Sequence, residues 1–170
     1  DNIFYNIEGD EVAALSYNLD YVEQYRVIDK ATGKLGSPVR IAKDESISIE
    51  SKYPDGKEAF SLQIDKSVWN KTLIIKDKNG NINFSCEYLN GKINGVRIES
   101  YPDGKPYKVE QFSDGEYHGE QKFYEPDGNL MYTAAYKNDE AHGALKIYKK
   151  GKLLKSKIFD SDILTSIVNH

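Results

Sequence analysis

A chain of 170 residues is long enough for one sizeable domain that buries about 70% of the surface its unfolded form exposes. Its net charge of −4, with acidic and basic residues interspersed, offers no basic face to a phosphate backbone and so argues against nucleic acid, and no apolar run approaches the ~20 residues of a membrane-spanning helix. The single cysteine, Cys86, excludes an internal disulfide framework and a multi-cysteine zinc site, while 13 tyrosines against 6 phenylalanines favour half-wet sheet surfaces over a dry centre.

The sequence starts at Asp1 rather than at methionine, which fits a trimmed chain or a mature protein whose signal peptide is removed, and exported placement (periplasmic or cell surface) is favoured over cytoplasmic. Residues 1–45 carry a glycine beat at Gly9 and Gly33 but few aromatic columns. They read as degenerate N-terminal units of a repeat array or as a small separate cap, the former preferred. From residue 46 the beat sharpens: YPDG ends at Gly56, DKNG at Gly80, a second YPDG at Gly104 and EPDG at Gly128, with Gly151 following. The seven glycines from Gly9 to Gly151 are spaced by 24, 23, 24, 24, 24 and 23 residues, the signature of a repeat architecture. Between them lie segments of about eight residues rich in Tyr, Phe, Ile, Val and Thr, which read as strands. Proline presets φ in the turn, and glycine takes the left-handed conformation that closes a type I turn with a bulge. Gly56, Gly80, Gly104, Gly128 and Gly151 are therefore structural. A second series, Gly95, Gly119 and Gly143, is expected to mark the opposite turn of each hairpin.

The expected fold is all-β: an elongated antiparallel β-hairpin array of about seven 23–24-residue units in a single repeat domain over 1–170, with regular hairpins over 46–159. Strands about 4.8 Å apart advance such a sheet roughly 9.6 Å per hairpin, on the order of 65 Å in all. Residues 160–170 form the C-terminal cap; there SDILTSIVNH offers Ser161 or Asp162 as a helix N-cap and Ile163, Leu164, Ile167 and Val168 at helical spacing, predicting a short capping helix.

Counting from each turn glycine, even offsets should share one side of the sheet. Offset eight gives Ile41, Ile64, Tyr88, Phe112, Tyr136 and Phe159, and offset two Leu35, Ile82, Leu130 and Leu153. Odd offsets are mostly polar, with Tyr107, Val109, Met131 and Leu154 as exceptions. Cys86, at offset six with Val39, Leu62 and Ala134, reads as an inert buried thiol.

Catalytic signatures do not emerge. Glu116 with His118 and Glu140 with His142 form two ExH triplets one unit apart, but a strand spacing of roughly 9.6 Å keeps the imidazoles from sharing an ion whose ligands sit at about 2 Å. No serine elbow, phosphate loop or dinucleotide fingerprint is present in the sequence. No cofactor and no metal are expected, and the chain is read as not an enzyme. The residues suited to binding a protein partner are Tyr107, Tyr124, Tyr132, Tyr136 and Tyr148, each combining apolar area with a hydrogen-bonding tip. An alternative anionic-surface site is formed by Lys149, Lys150, Lys152, Lys155 and Lys157, within a segment that otherwise serves to keep a terminal edge soluble.

The stretch from Glu87 to Leu153, with its patterns YxNGKxxGxxxxxYxDGK and DGxxHGxxKxYxxDGxL, resembles the bacterial variant of MORN (membrane occupation and recognition nexus) repeats. It departs from the pattern at Asn138 and Asp139 and at Ile98, Glu99 and Ser100. The resemblance implies all-β hairpin arrays that serve as protein-interaction modules, with antitoxin components among the bacterial ones and membrane association proposed for the wider class; no catalytic residues come with it. The expected function is a non-enzymatic protein-binding scaffold, exported or surface-associated. The alternatives are an antitoxin or immunity-type protein, or a binder of anionic membrane surfaces, which the acidic net charge disfavours. Unpaired sheet edges would allow dimerisation.

Overall fold

The turn glycines do what their spacing implies. At each of four turns the amide of the first residue donates to the carbonyl four residues on, and the glycine amide donates back to the first residue's carbonyl. These pairs are Tyr53–Lys57 and Gly56–Tyr53, Asp77–Asn81 and Gly80–Asp77, Tyr101–Lys105 and Gly104–Tyr101, and Glu125–Asn129 and Gly128–Glu125, all at 2.8–3.0 Å. Gly56 stands at φ +92°, a conformation that an L side chain rarely adopts. At Gly151 the loop is tighter: Lys149 pairs with Lys152 across the two residues Lys150 and Gly151.

The computed structural model describes residues 2–18 and 21–170; Asp1, on which the processed-terminus expectation rests, lies outside them. Where the sequence suggests one repeat domain, the packing separates two units, Asp1–Lys92 and Ile93–His170. In the first, β1 (Asn2–Tyr5), β2 (Glu11–Asn18), β3 (Tyr21–Val27) and β4 (Val39–Arg40) form their own antiparallel sheet in the order β1-β2-β3-β4. A meander of β5 (Ile47–Lys52), β6 (Glu58–Asp65), β7 (Val68–Lys76) and β8 (Ile82–Leu89) follows. The two layers bury one apolar core, in which Val12, Leu15 and Val22 from the first sheet meet Ile49, Phe60, Leu62, Ile64 and Leu73 from the meander. Polar ties cross the same boundary. Ser51 Oγ accepts from the Ile28 amide at 2.9 Å, and Tyr53 OH accepts from Asn6 Nδ2 at 2.9 Å while donating to the Lys76 carbonyl at 2.7 Å. Cys86 is fully buried opposite Leu73.

The second unit consists of β9 (Lys92–Ser100), β10 (Pro106–Ser113), β11 (Glu116–Tyr117), β12 (Gly119–Tyr124), β13 (Leu130–Lys137), β14 (Glu140–Lys149), β15 (Lys152–Asp160) and β16 (Ile163–Asn169). Each strand pairs antiparallel with the next, except that β10 is followed by β11 at one end and β12 at the other. This unit is one layer. Its buried residues are Glu110, Gln121, Thr133, Ala134 and Ser156, mostly polar, and no residue of it joins the buried apolar cluster.

Four expectations need correction. The capping helix is absent: residues 163–169 are strand β16, paired with β15 from Asp160↔Ile163 to Lys155↔Asn169, and no helix occurs among the described residues. Ser161 and Asp162, read as an N-cap, both have positive φ (45° and 66°) and make a two-residue hairpin turn. The β-branched residues Ile163, Thr165, Ile167 and Val168 suit the strand, and the β15 template overrides the helical spacing. The count of seven like units also fails, because the hairpin at Gly9 belongs to the separate sheet and the turn at Gly33 is one residue longer and ends in an isolated bridge, Ile28↔Leu35.

The second glycine series does not make turns. The opposite turns are Lys66–Ser67, Asn90–Gly91, Asp114–Gly115, Asn138–Asp139 and Ser161–Asp162, with positive φ at both residues. Gly95, Gly119 and Gly143 instead lie within strands, paired in register with Phe112, Tyr136 and Phe159. Finally, the even-offset rule breaks at a bulge. The pairs Pro106↔Ser100 and Lys108↔Glu99 leave Tyr107 unpaired; Tyr124↔Leu130 and Phe123↔Tyr132 leave Met131; Tyr148↔Leu153 and Ile147↔Lys155 leave Leu154. One extra residue at offset three moves offset two to the side opposite offsets four, six and eight.

Candidate interaction surface

Cross-strand partners share a side of the sheet, so the register defines the faces of the second unit directly. One row on one face runs Glu99, Lys108, Phe123, Tyr132, Ile147, Lys155 across β9 to β15. A parallel row contains the Arg97↔Glu110 pair and continues from Gln121 through Ala134 and Leu145 to Lys157. Phe123 stacks on Tyr132 with centroids 4.2 Å apart and planes at 17°, and Tyr117 lies between Phe112 (4.7 Å) and Tyr136 (5.5 Å). Between these ring groups the small side chain of Ala134 leaves a recess of about 110 Å³, walled by Tyr117, Phe123, Tyr132 and Tyr136 with Glu110 and Gln121 beneath.

Glu110 anchors this face. It is only 2% exposed, yet every approach to its carboxylate is satisfied. Arg97 Nε donates to Oε2 at 2.7 Å, Tyr117 OH donates to Oε1 at 2.9 Å, and Lys108 Nζ lies 3.7 Å from Oε2 while pairing with Glu99 at 2.6 Å. The Arg97 guanidinium sits 4.9 Å over the Phe112 ring. Burial would raise the Glu110 carboxyl, but the bonds from Arg97 and Tyr117 and the charges of Arg97 and Lys108 outweigh it and hold the group below its usual range. Burial would likewise lower Arg97, and its contact with Glu110 raises it instead. Tyr117 is pushed up by burial and by the anion it donates to. The donors that favour the ionised carboxylate come from β9, β10 and β11 and so tie these strands together.

The five predicted tyrosines divide. Tyr132 and Tyr136 lie together on this face. Tyr124 and Tyr148 pair with Leu130 and Leu153 on the opposite side, and the Tyr124 carbonyl accepts from Tyr101 OH at 2.8 Å. Tyr107 is a bulge residue, 38% exposed, resting edge-on against Tyr101 at 5.3 Å. The five lysines also divide: Lys155 and Lys157 stand on the aromatic face, whereas Lys149, Lys150 and Lys152 surround the turn at Gly151. His118 meets Asn138 at 3.1 Å and His142 meets Asp160 at 3.2 Å, each imidazole with a different partner.

Sequence reasoning missed the Arg97–Glu110–Tyr117 cluster. A signal existed, since Glu110 is the one charge in an offset-six column otherwise holding Val39, Leu62, Cys86 and Ala134 until Lys157. No protein-family model matches the chain, and no curated protein matches it.

Proposed function

We propose that the chain is a non-enzymatic protein-binding scaffold built from MORN-like hairpins, and that the aromatic face of the Ile93–His170 sheet takes the partner. One observation carries this reading: a single-layer sheet keeps Phe112, Tyr117, Phe123, Tyr132 and Tyr136 half-buried in contiguous groups around a recess rather than sealing them under a second layer. Rings of this kind give large contact area at low entropic cost and recur at the centres of interfaces. Neighbouring strands hold them in register, so the surface is ordered before any partner arrives.

The test is affinity capture with the tagged chain. Changing Tyr132 and Tyr136 to Ser should abolish recovery of a partner that the parent chain retains, while Tyr124→Ser with Tyr148→Ser on the other side should not. Equal recovery by both variants, with circular dichroism unchanged, refutes the assignment. An antitoxin or immunity role within this class predicts that co-expression relieves the toxicity of the captured partner.

A further inference from the structure

The repeat supplies its own control for a surface elsewhere on the same face. At the start of the second unit four ladder positions hold Arg97 opposite Glu110 and Glu99 opposite Lys108, a quartet with no net charge. Lys108 and Glu110 stand four and six residues past Gly104; the same offsets from Gly151 are Lys155 and Lys157. Their cross-strand partners, however, are Ile147 and Leu145. Both carboxylates of the quartet are gone and two cations stand in the row, opposite aliphatic side chains on β14 and opposite Asn169 and Ile167 on β16.

Neither Lys155 nor Lys157 forms an ion pair among the described residues. Both are half-buried, and a lysine so placed can lay its stem on apolar neighbours while keeping its ammonium group in water. Residues two apart in a strand are separated by roughly 6.7 Å, the spacing of alternate side chains in any other extended chain. The geometry that closes internally around Lys108 is therefore left open around Lys155.

We propose that this part of the face docks an extended acidic segment of a partner protein, with carboxylates two residues apart on Lys155 and Lys157 and apolar side chains against Leu145 and Ile147. The inference rests on the scaffold reading and names the chemistry of the partner. Aliphatic neighbours favour a peptide over a free phosphate, which finds nothing in them, and two lysines at about 1 kcal/mol each are too few to hold the chain on an anionic bilayer.

The test uses the whole isotope-labelled chain and a synthetic peptide with Glu-Thr-Glu set between leucines. Amide shifts should concentrate on β14 and β15 and weaken as salt is raised. Ile147→Glu, which gives Lys155 the partner that Lys108 has in Glu99, should weaken the peptide about tenfold or more while the fold persists. Lys157→Glu should do the same if the first variant fails to fold. A peptide with Lys-Thr-Lys in the same frame should not bind.

Shifts centred on Tyr132 and Tyr136 would overturn the docking place and leave the scaffold reading intact. Equal binding of the lysine peptide, unchanged affinity in Ile147→Glu, or a response only to phosphatidylserine vesicles or inorganic phosphate would each overturn the proposal. Failure of the Glu-Thr-Glu peptide alongside intact partner capture does so as well, and loss of capture itself counts against the scaffold.

Discussion

Glu110→Gln tests the electrostatic anchor of the second unit with almost no change of shape. The substitution removes the charge facing Arg97 at 2.7 Å and Lys108 at 3.7 Å but keeps an oxygen that accepts from Arg97 or Tyr117. Breaking a buried pair by neutralising one partner costs about 3–5 kcal/mol. Here the Arg97 side chain is 22% exposed and Lys108 retains Glu99, so the loss falls to about 2–3 kcal/mol. Urea denaturation measures it, and its pH dependence identifies its origin. Because the folded-state pKa of Glu110 is depressed, its contribution is complete above the ordinary carboxylate value near 4.5 and vanishes as pH falls through the lower folded value. The gap between parent and variant should therefore be widest at neutral pH and close steadily in acid. A double change, Arg97→Gln with Glu110→Ala, copies the Gln121 and Ala134 of the next hairpin and should recover part of the loss. A gap below about 0.5 kcal/mol at neutral pH, or one that does not narrow in acid, refutes the account.

Three further outcomes follow from the geometry. Tyr53→Phe removes a hydroxyl that bridges Asn6 and the Lys76 carbonyl between the two layers of the first unit, and should cost about 1–2 kcal/mol by chemical denaturation. Gly143→Ala places a Cβ 3.2 Å from that of Ala135 at φ +101°, so a loss of about 1–3 kcal/mol is expected, and a neutral result would remove the strain argument. Replacing Ser161 and Asp162 by Asn and Gly, the preferred pair for a two-residue hairpin turn, should raise the melting temperature by a few degrees, where a helix N-cap would instead be lost.

The hairpin plan was legible because it rests on backbone conformations that few residues adopt. Glycine at a fixed beat marks φ > 0 whatever the neighbouring strands contain, and the type I turn with its bulge follows from Tyr-Pro-Asp-Gly alone. The side assignment failed one step later, since a bulge at offset three consumes a residue without a sequence motif of its own. Its trace was present in Tyr107, Met131 and Leu154, the apolar exceptions in an otherwise polar column. Ile163, Leu164, Ile167 and Val168 fit helical and extended spacing alike, and only the neighbouring β15 decides between them. The Arg97–Glu110 pair is separated by 13 residues, and it forms only once the Gly104 hairpin sets the register. Tyrosine content pointed to wet faces, but which tyrosines share a face depends on those same bulges.

A photo-crosslinking residue placed at Tyr136, and in parallel at Val109 on the opposite face, tests the central claim most directly. The account expects Tyr136 to yield a crosslinked protein partner under conditions in which Val109 yields none. Equal products from both positions, or products from Val109 alone, would contradict it.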